Sequence, residues 1–145
     1  MVSRVIPVDD FDLVIFGGTG DLARRKILPG LYLRALAGQV PPDARVIGAA
    51  RAENTDEEFR ALVAEAIEEF VPAARRDPEA IAAFLSRLSY VAIDATGDSG
   101  WPRLKALMRP DVVQAFYFSV APARFGALAE RLNTQNIAGP QARIV

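Results

Sequence analysis

The sequence predicts an α/β fold of the doubly wound, Rossmann-like type, with parallel strands in the order 3-2-1-4-5 and helices on both faces. Short apolar runs alternate with helical patterns from residue 11 to residue 145, which is typical of parallel strands joined by right-handed crossovers. The first run, Phe11–Phe16, ends in Gly-Gly-Thr-Gly and leads directly into a helical pattern. With 145 residues the chain suits one such domain, and residues 1–10 are interpreted as an N-terminal arm.

The first half of the chain predicts two strands and two helices. Residues 22–36 carry apolar side chains at helical spacing, and the Pro29-Gly30 pair is expected to kink this helix. Arg45–Ala50 is predicted as the second strand. Thr55 and Glu58 then form a capping box, which opens a helix that runs to about residue 70.

The second half repeats the alternation. Asp77 and Pro78 predict a helix start, as N-cap and first helical residue, and residues 89–93 predict the third strand. The remaining predicted elements are a short helix over 102–108, a fourth strand over 115–120, a helix over 122–132 and a fifth strand from residue 142. Because the strand order reverses between strands 1 and 4, a ligand crevice is expected at their carboxyl ends.

The composition excludes several kinds of site and partner. Cys and His are both absent, which excludes a thiol nucleophile, an imidazole base and a thiolate or imidazole metal site. A formal net charge of −1 gives no electrostatic reason to expect nucleic acid as a partner. Without Cys and His we expect no metal site. No apolar run approaches the ~20 residues of a membrane span, so we expect no membrane partner.

The turn after the first strand has the pattern of a phosphate-binding loop. Gly17, Gly18 and Gly20, followed by Ala23, let a pyrophosphate approach the main chain at a helix N-terminus that packs close to the sheet. A tight strand–helix turn without a ligand would use the same glycines. Asp21 is interpreted as a helix cap that is turned away from the phosphates.

Three cations follow in the first helical turn, where they oppose the helix dipole. A solvent-facing role is the simplest interpretation for Arg24, Arg25 and Lys26. The alternative is that one of them, Lys26 above all, faces an anionic ligand or substrate across the cleft.

The end of the second strand points to the cofactor. Folds that prefer NAD carry an acid there, whereas this strand ends in Ala50-Arg51. Arg51 could grip a 2′-phosphate through its planar guanidinium, and the Thr19 hydroxyl could donate to the same phosphate. These residues predict NADP, although a solvated arginine is the simpler structural alternative. Glu53, two residues on, leaves NAD as a weaker alternative cofactor.

At these residues the sequence resembles the N-terminal part of the glucose-6-phosphate dehydrogenase family. Residues 16–26 (FGGTGDLARRK) resemble its Gly-x-x-Gly-Asp-Leu-Ala-basic loop, and residues 47–51 (IGAAR) its Val/Ile-Gly-x-x-Arg motif. Residues 88–94 (LSYVAID) match its third strand, and residues 116–125 (FYFSVAPARF) resemble its Phe-Tyr-x-x-x-Pro/Ala-Pro-x-x-Phe/Tyr segment. The resemblance covers about residues 11–145.

The resemblance implies oxidation of glucose 6-phosphate at C1 to the phosphogluconolactone, with hydride transfer to NADP⁺ in the oxidative pentose phosphate pathway. It further implies a cytoplasmic enzyme that assembles from identical subunits. The residues that it assigns to the cofactor are Gly17, Gly18, Thr19, Gly20, Asp21, Leu22, Arg51, Ile93, Asp94, Ala121, Pro122 and Phe125. Within this set Ile93 and Asp94 would lie near the adenine ribose, and the last three beside the nicotinamide half.

The resemblance also places part of the enzyme outside this sequence. The family's Glu-Lys-Pro-Phe/Leu-Gly motif follows strand 5, and the sequence stops at Val145 before that point. The family's catalytic His and its glucose 6-phosphate site lie in a second α+β domain. We therefore expect an incomplete dinucleotide-binding domain over 11–145, with no catalytic residue and no turnover by this chain alone.

Two other functions stay open at this point. A non-catalytic NADP(H)-binding sensor module would use the same glycine loop and arginine. An extended short-chain dehydrogenase would carry Tyr-x-x-x-Lys on the helix after strand 4, and residues 122–145 contain no such spacing.

Overall fold

The computed structural model describes residues 10–94, 97–134, 137 and 142–144. Residues 1–9 of the predicted N-terminal arm lie outside the described residues. The strands are β1 (Phe11–Phe16), β2 (Arg45–Ala50), β3 (Leu88–Ala92), β4 (Val113–Phe118) and β5 (Ala142–Ile144). The α-helices are α1 (Leu28–Leu36), α2 (Asp56–Phe70), α3 (Pro78–Leu85), α4 (Trp101–Leu107) and α5 (Phe125–Thr134).

The five strands form one sheet in the order β3-β2-β1-β4-β5, and every described neighbour pair is parallel. The predicted order is therefore confirmed. β1 lies in the centre, where Ile15 pairs with Gly48 of β2 on one side and with Tyr117 of β4 on the other. This arrangement brings the carboxyl ends of β1, β2 and β4 together at one edge of the sheet.

Two strands begin earlier than their apolar runs predicted, β3 by one residue and β4 by two. β4 starts at Val113 because Val113 and Gln114 pair with Phe11 and Asp12 of β1. Gln114 is a polar residue that the sheet nevertheless buries, so the apolar letters alone did not reveal this end of the strand.

Each face of the sheet packs against its own set of helices, since neighbouring side chains of a strand point to opposite faces. Along β1, Val14 and Phe16 face one side, while Leu13 and Ile15 face the other. The first face is covered by buried residues of α4 and α5, namely Trp101, Leu104, Leu128 and Leu132. The second is covered by buried residues of a π-helical turn (Ala23–Ile27) and of α1 to α3, namely Ala23, Leu28, Tyr32, Phe59, Val63, Ile67 and Phe84.

The two helix starts that the sequence predicted from caps are confirmed. At α2 the Thr55 Oγ1 accepts from the Glu58 N–H at 3.1 Å, and the Thr55 N–H donates to Glu58 Oε1 at 2.9 Å. At α3 the Asp77 carboxylate accepts from the Glu79 N–H at 3.2 Å, with Pro78 at the first helical position. Both caps are local, which is why four adjacent residues suffice to predict them.

The interruption expected at Pro29-Gly30 takes the form of a π-helical turn over Ala23–Ile27, immediately before α1. The Leu28 N–H bonds to the Ala23 carbonyl, five residues back. Pro29 has no N–H for the usual bond four residues back, so one widened turn accommodates it and α1 continues to Leu36.

At the opposite edge of the sheet, where the strands begin, Arg109 binds carboxylates at the start of β1. Its main-chain N–H and its Nε donate to the two carboxylate oxygens of Asp12, at 2.6 and 3.0 Å, and Asp12 is fully buried. The Arg109 Nη1 donates to Asp10 Oδ2 at 2.6 Å, and this hydrogen bond holds the pKa of the Asp10 carboxyl below its ordinary value. Through Arg109, β1 is tied to the segment before β4.

Within the described residues, no helix has the length and apolar character needed to cross a membrane. Among the same described residues, the Asp and Glu side chains form no group of three or more that could hold a metal ion.

Candidate functional site

The glycine loop is wedged between the ends of β2 and β4. The Gly17 N–H donates to the Ala49 carbonyl at 2.7 Å, and Gly17 has a φ of 80°. A Cβ at Gly17 would overlap the Ser119 carbonyl oxygen, and a Cβ at Gly18 would lie 3.0 Å from the Gly48 Cα. Glycine is therefore required at Gly17 by both its backbone angle and the close approach of β4.

The chain then turns directly into the helical region. The Gly20 N–H donates to the Gly17 carbonyl at 2.9 Å, and the Gly20 carbonyl accepts from the Arg24 N–H at 3.0 Å. Ala23 is fully buried in the same cluster as Ile15, so the small side chain allows the close helix–sheet contact that the sequence predicted.

A pocket of about 220 Å³ opens at this edge, where β1, β2 and β4 end. The described residues that line it are Phe16, Gly17, Thr19, Gly20, Ala49, Ala50, Arg51, Ile93, Val120, Arg124 and Leu128. Its charged side chains are two arginines, and none of the described lining residues is a carboxylate. The pocket is thus cationic in a chain whose formal net charge is −1.

The pocket brings together five of the residues that the sequence assigned to the cofactor: Gly17, Thr19, Gly20, Arg51 and Ile93. Thr19 and Arg51 line the same space, as a shared role on one phosphate requires. Both belong to loops at the carboxyl ends of adjacent strands, and the parallel pairing of β1 with β2 sets them side by side.

Gly18, Asp21 and Leu22 do not line the pocket. Gly18 is buried under the loop, whereas Asp21 and Leu22 are exposed on the first helical turn. The interpretation of Asp21 as a helix cap is wrong: its carboxylate accepts from Arg25 Nε at 2.7 Å, four residues on. The sequence pattern predicted that the Asp21 carboxylate would accept from main-chain N–H groups. Instead it binds the side chain of Arg25, one helical turn away.

Asp94 follows Ile93 and enters the loop that leads to α4 rather than the pocket wall. The Asp94 carbonyl and the Gly97 carbonyl both accept from Trp101 Nε1, at 3.0 and 3.1 Å. The indole therefore fixes the main chain of the loop directly beside the pocket-lining Ile93.

The β4 end carries the three residues assigned to the nicotinamide half. The main chain of Pro122 lies in a 3₁₀ turn, Pro122–Arg124, that precedes α5. Ala121 and Phe125 are exposed, and the Phe125 ring packs 5.6 Å from the Phe118 ring. Ala121 and Phe125 lie at the pocket edge of the sheet but do not belong to the described lining of the pocket.

The solvent-facing role is confirmed for Arg24 and Arg25. Arg24 forms an ion pair with Glu69, and the two guanidinium groups lie 5.3 and 5.7 Å from the centroid of the Phe70 ring. Lys26 is exposed and lines a different groove, between α1 and the other face of β1 and β4. The structure does not bring Lys26 into the cofactor pocket.

Sequence reasoning missed Arg124 and Leu128 as lining residues. Both lie after β4, Arg124 at the end of the 3₁₀ turn and Leu128 in the first turn of α5. The signal was available, because strand 4 ends beside strand 1 and any cation just after it lies near the glycine loop.

The residues present fit an anionic dinucleotide. Gly17 and Gly20 line the pocket without side chains of their own, and Arg51 and Arg124 supply positive charge. Phe16, Ile93 and Leu128 add apolar surface that suits a ring system.

Comparison with known proteins agrees with this geometry. A family model described as glucose-6-phosphate dehydrogenase, NAD binding domain, matches residues 14–145. Glucose-6-phosphate 1-dehydrogenase of Rhizobium meliloti (strain 1021) is 41% identical over 147 residues, which cover 100% of this chain and 30% of the relative. The enzyme of Gluconobacter oxydans (strain 621H) is 43% identical over 142 residues, covering 95% and 29%.

Solved structures give the same result. Glucose-6-phosphate 1-dehydrogenase from Mycobacterium avium superposes with a TM-score of 0.84 at 27% identity, over 94% of this chain and 29% of that one. A glucose-6-phosphate dehydrogenase in complex with glucose-6-phosphate superposes with a TM-score of 0.79 at 25% identity, over 99% and 30%. The chain spans about 30% of the length of these relatives. From the glycine loop to β5, this chain belongs to the glucose-6-phosphate dehydrogenase family and matches its NAD-binding domain.

Proposed function

We propose that this chain binds NADP in preference to NAD, as the cofactor domain of a dehydrogenase that oxidises glucose 6-phosphate. The observation that carries the proposal is the pocket in which Arg51, Thr19 and the glycine loop meet without a lining carboxylate among the described residues. The comparisons favour neither a sensor module nor a short-chain dehydrogenase.

The preference follows from charge and hydrogen-bonding geometry. An acid at the end of β2 would accept from the ribose hydroxyls of NAD and repel a 2′-phosphate. Arg51 offers no acceptor to the ribose hydroxyls of NAD, and its guanidinium attracts a 2′-phosphate through strong charge-assisted bonds. Glu53 is exposed and does not belong to the described pocket lining, so Arg51 is the charged residue after β2 that lines the pocket.

The proposed reaction moves a hydride from C1 of glucose 6-phosphate to the cofactor, while the C1 hydroxyl proton goes to a base. NADP⁺, when bound, supplies the hydride acceptor. In this proposal the residues of this chain bind and orient the cofactor, and a second α+β domain holds the sugar phosphate. The whole enzyme is proposed to assemble from identical subunits in the cytoplasm.

Arg51→Ala is expected to weaken NADP⁺ binding about 10–150-fold, the equivalent of a charge-assisted bond of ~1.5–3 kcal/mol. NAD⁺ binding should stay almost unchanged, because NAD⁺ lacks the 2′-phosphate. Affinity is measured by titration with the reduced cofactors, followed by energy transfer from Trp101. Trp101 is the single tryptophan and lies 5.8 Å, ring to ring, from the pocket-lining Phe16. Oxidised cofactors are measured by displacement.

Arg75→Ala is the matched control for this titration. It removes the same charge from an exposed position between α2 and α3, away from the pocket edge, and should leave both affinities within about 2-fold. Equal losses of NADP⁺ and NAD⁺ affinity in Arg51→Ala would show that Arg51 acts on the loop structure instead.

We expect no turnover of glucose 6-phosphate by residues 1–145 alone. The sequence has no His, and the described lining of the pocket holds no carboxylate to take the C1 hydroxyl proton. Without a site that aligns the sugar, the proximity contribution of ~7–11 kcal/mol is also lost. The measurement is NADPH formation by absorbance, and formation above the protein-free blank would place a working base within this chain.

A further inference from the structure

The pocket contains a second cation that none of the sequence motifs assigned. Arg124 lies in the 3₁₀ turn after β4, where its N–H donates to the Ala121 carbonyl at 2.9 Å. It lines the pocket together with Leu128, four residues later, which is 2% exposed and packs into the core. Leu128 thus anchors the start of α5 in the core, directly after the turn that carries Arg124.

The charge of Arg124 is not balanced by the described parts of the chain. Arg24, Arg25, Arg109 and Arg131 each form an ion pair with a carboxylate. No such pair is found for Arg124 among the described residues, and the first turn of α5 contains no acidic residue. A cation at that position opposes the helix dipole, so a bound anion would relieve an unfavourable interaction.

The strand order gives Arg124 a different task from Arg51. β2, β1 and β4 are neighbours, so the carboxyl ends of β2 and β4, after which the two arginines follow, are two strand spacings apart, about 10 Å. A dinucleotide lies across this edge with its adenosine half toward β2. The pyrophosphate would then lie over the glycine loop after β1, between the ends of β2 and β4.

We propose that Arg124 is a binding residue for the pyrophosphate, common to NAD and NADP, whereas Arg51 reads the 2′-phosphate. This inference rests on the proposed dinucleotide site. In this proposal Arg124, after β4, contributes to the affinity for both cofactors, whereas Arg51, after β2, determines the preference for NADP.

The test uses four ligands that separate the two phosphate groups. NADPH binding is followed by energy transfer from Trp101, and NADP⁺, NAD⁺, ADP-ribose and 2′-AMP are measured by its displacement. Arg124→Ala should weaken NADP⁺, NAD⁺ and ADP-ribose alike, by about 5–10-fold for an exposed charge-assisted contact. Binding of 2′-AMP, which lacks a pyrophosphate, should change by less than about 2-fold.

Two further variants make the result specific. Arg124→Lys keeps the charge but loses the planar fork, so it should recover part of the affinity for the three pyrophosphate ligands. Arg75→Ala should change none of the four. A loss confined to NADP⁺ and 2′-AMP, or no loss at all, overturns the role of Arg124. If the unsubstituted chain binds no dinucleotide, the proposed function itself fails, whatever Arg124 does.

Discussion

Arg109→Met is expected to lower the free energy of unfolding by about 3–5 kcal/mol, a large share of the 5–15 kcal/mol of a typical domain. The substitution leaves the fully buried Asp12 carboxylate without its guanidinium, although the Arg109 main-chain N–H still donates to it. An uncompensated buried charge has a large desolvation cost. Denaturant unfolding at neutral pH measures the loss.

A second substitution separates charge from packing. Adding Asp12→Asn to Arg109→Met removes the stranded charge, and the double variant should recover roughly half of the loss. Arg103→Met, at an exposed position of α4, is the matched control and should change stability by less than about 0.5 kcal/mol. If the double variant is no more stable than Arg109→Met, lost packing and not charge explains the effect.

The second ion pair of Arg109, with Asp10, predicts that the stability depends on pH. Arg109 lowers the pKa of Asp10 below its ordinary value of 3.8, so the pair stabilises the fold above that pH. Its contribution is lost as the pH falls through the lowered folded-state pKa. The difference in stability between the unsubstituted chain and Arg109→Met should therefore narrow toward acid.

Gly17→Ala is expected to destabilise the domain by about 3–4 kcal/mol and to abolish dinucleotide binding. Alanine at a φ of 80° is strained, and its Cβ would overlap the Ser119 carbonyl oxygen. β4 cannot simply move away, because the Ser119 N–H donates to the Phe16 carbonyl at 2.8 Å. Unfolding in denaturant gives the stability, and NADPH titration gives the binding.

Gly38→Ala is the matched control for backbone strain. Gly38 has a similar φ of 74°, but a Cβ there would meet nothing within 4 Å. It should cost only the left-handed penalty of about 1–2 kcal/mol and leave NADPH binding intact. Equal destabilisation by the two substitutions would remove the close approach of β4 as a cause.

The alternation of strands and helices, and with it the strand order, could be predicted because each element has its own local pattern. Thr55 and Glu58 show this well, since both partners of the capping box lie within one helical turn. The start of β4 could not be predicted in the same way. Gln114 is polar, and only pairing with Asp12 of β1 places it in the sheet.

In the candidate site, too, some residues could be predicted from local sequence and others could not. The glycine loop, Thr19 and Arg51 were predicted because the chemistry that they suit depends on residue type and position after a strand. Arg124 was missed, and Asp21 was wrongly interpreted as a cap. The hydrogen bond or ion pair that a charged side chain forms depends on all the groups that lie near it in the fold. Residue type alone does not show which of these groups it will bind.

The sequence by itself determined the fold class, the family and the core of the predicted cofactor loop, because all three depend on short runs of adjacent residues. Only the tertiary structure decided which residues share the pocket, which face Lys26 occupies and which carboxylates Arg109 binds. Asp12 and Arg109 are 97 residues apart in sequence. Their contact exists because the sheet places β1 beside β4, and that geometry arises from packing of the whole chain.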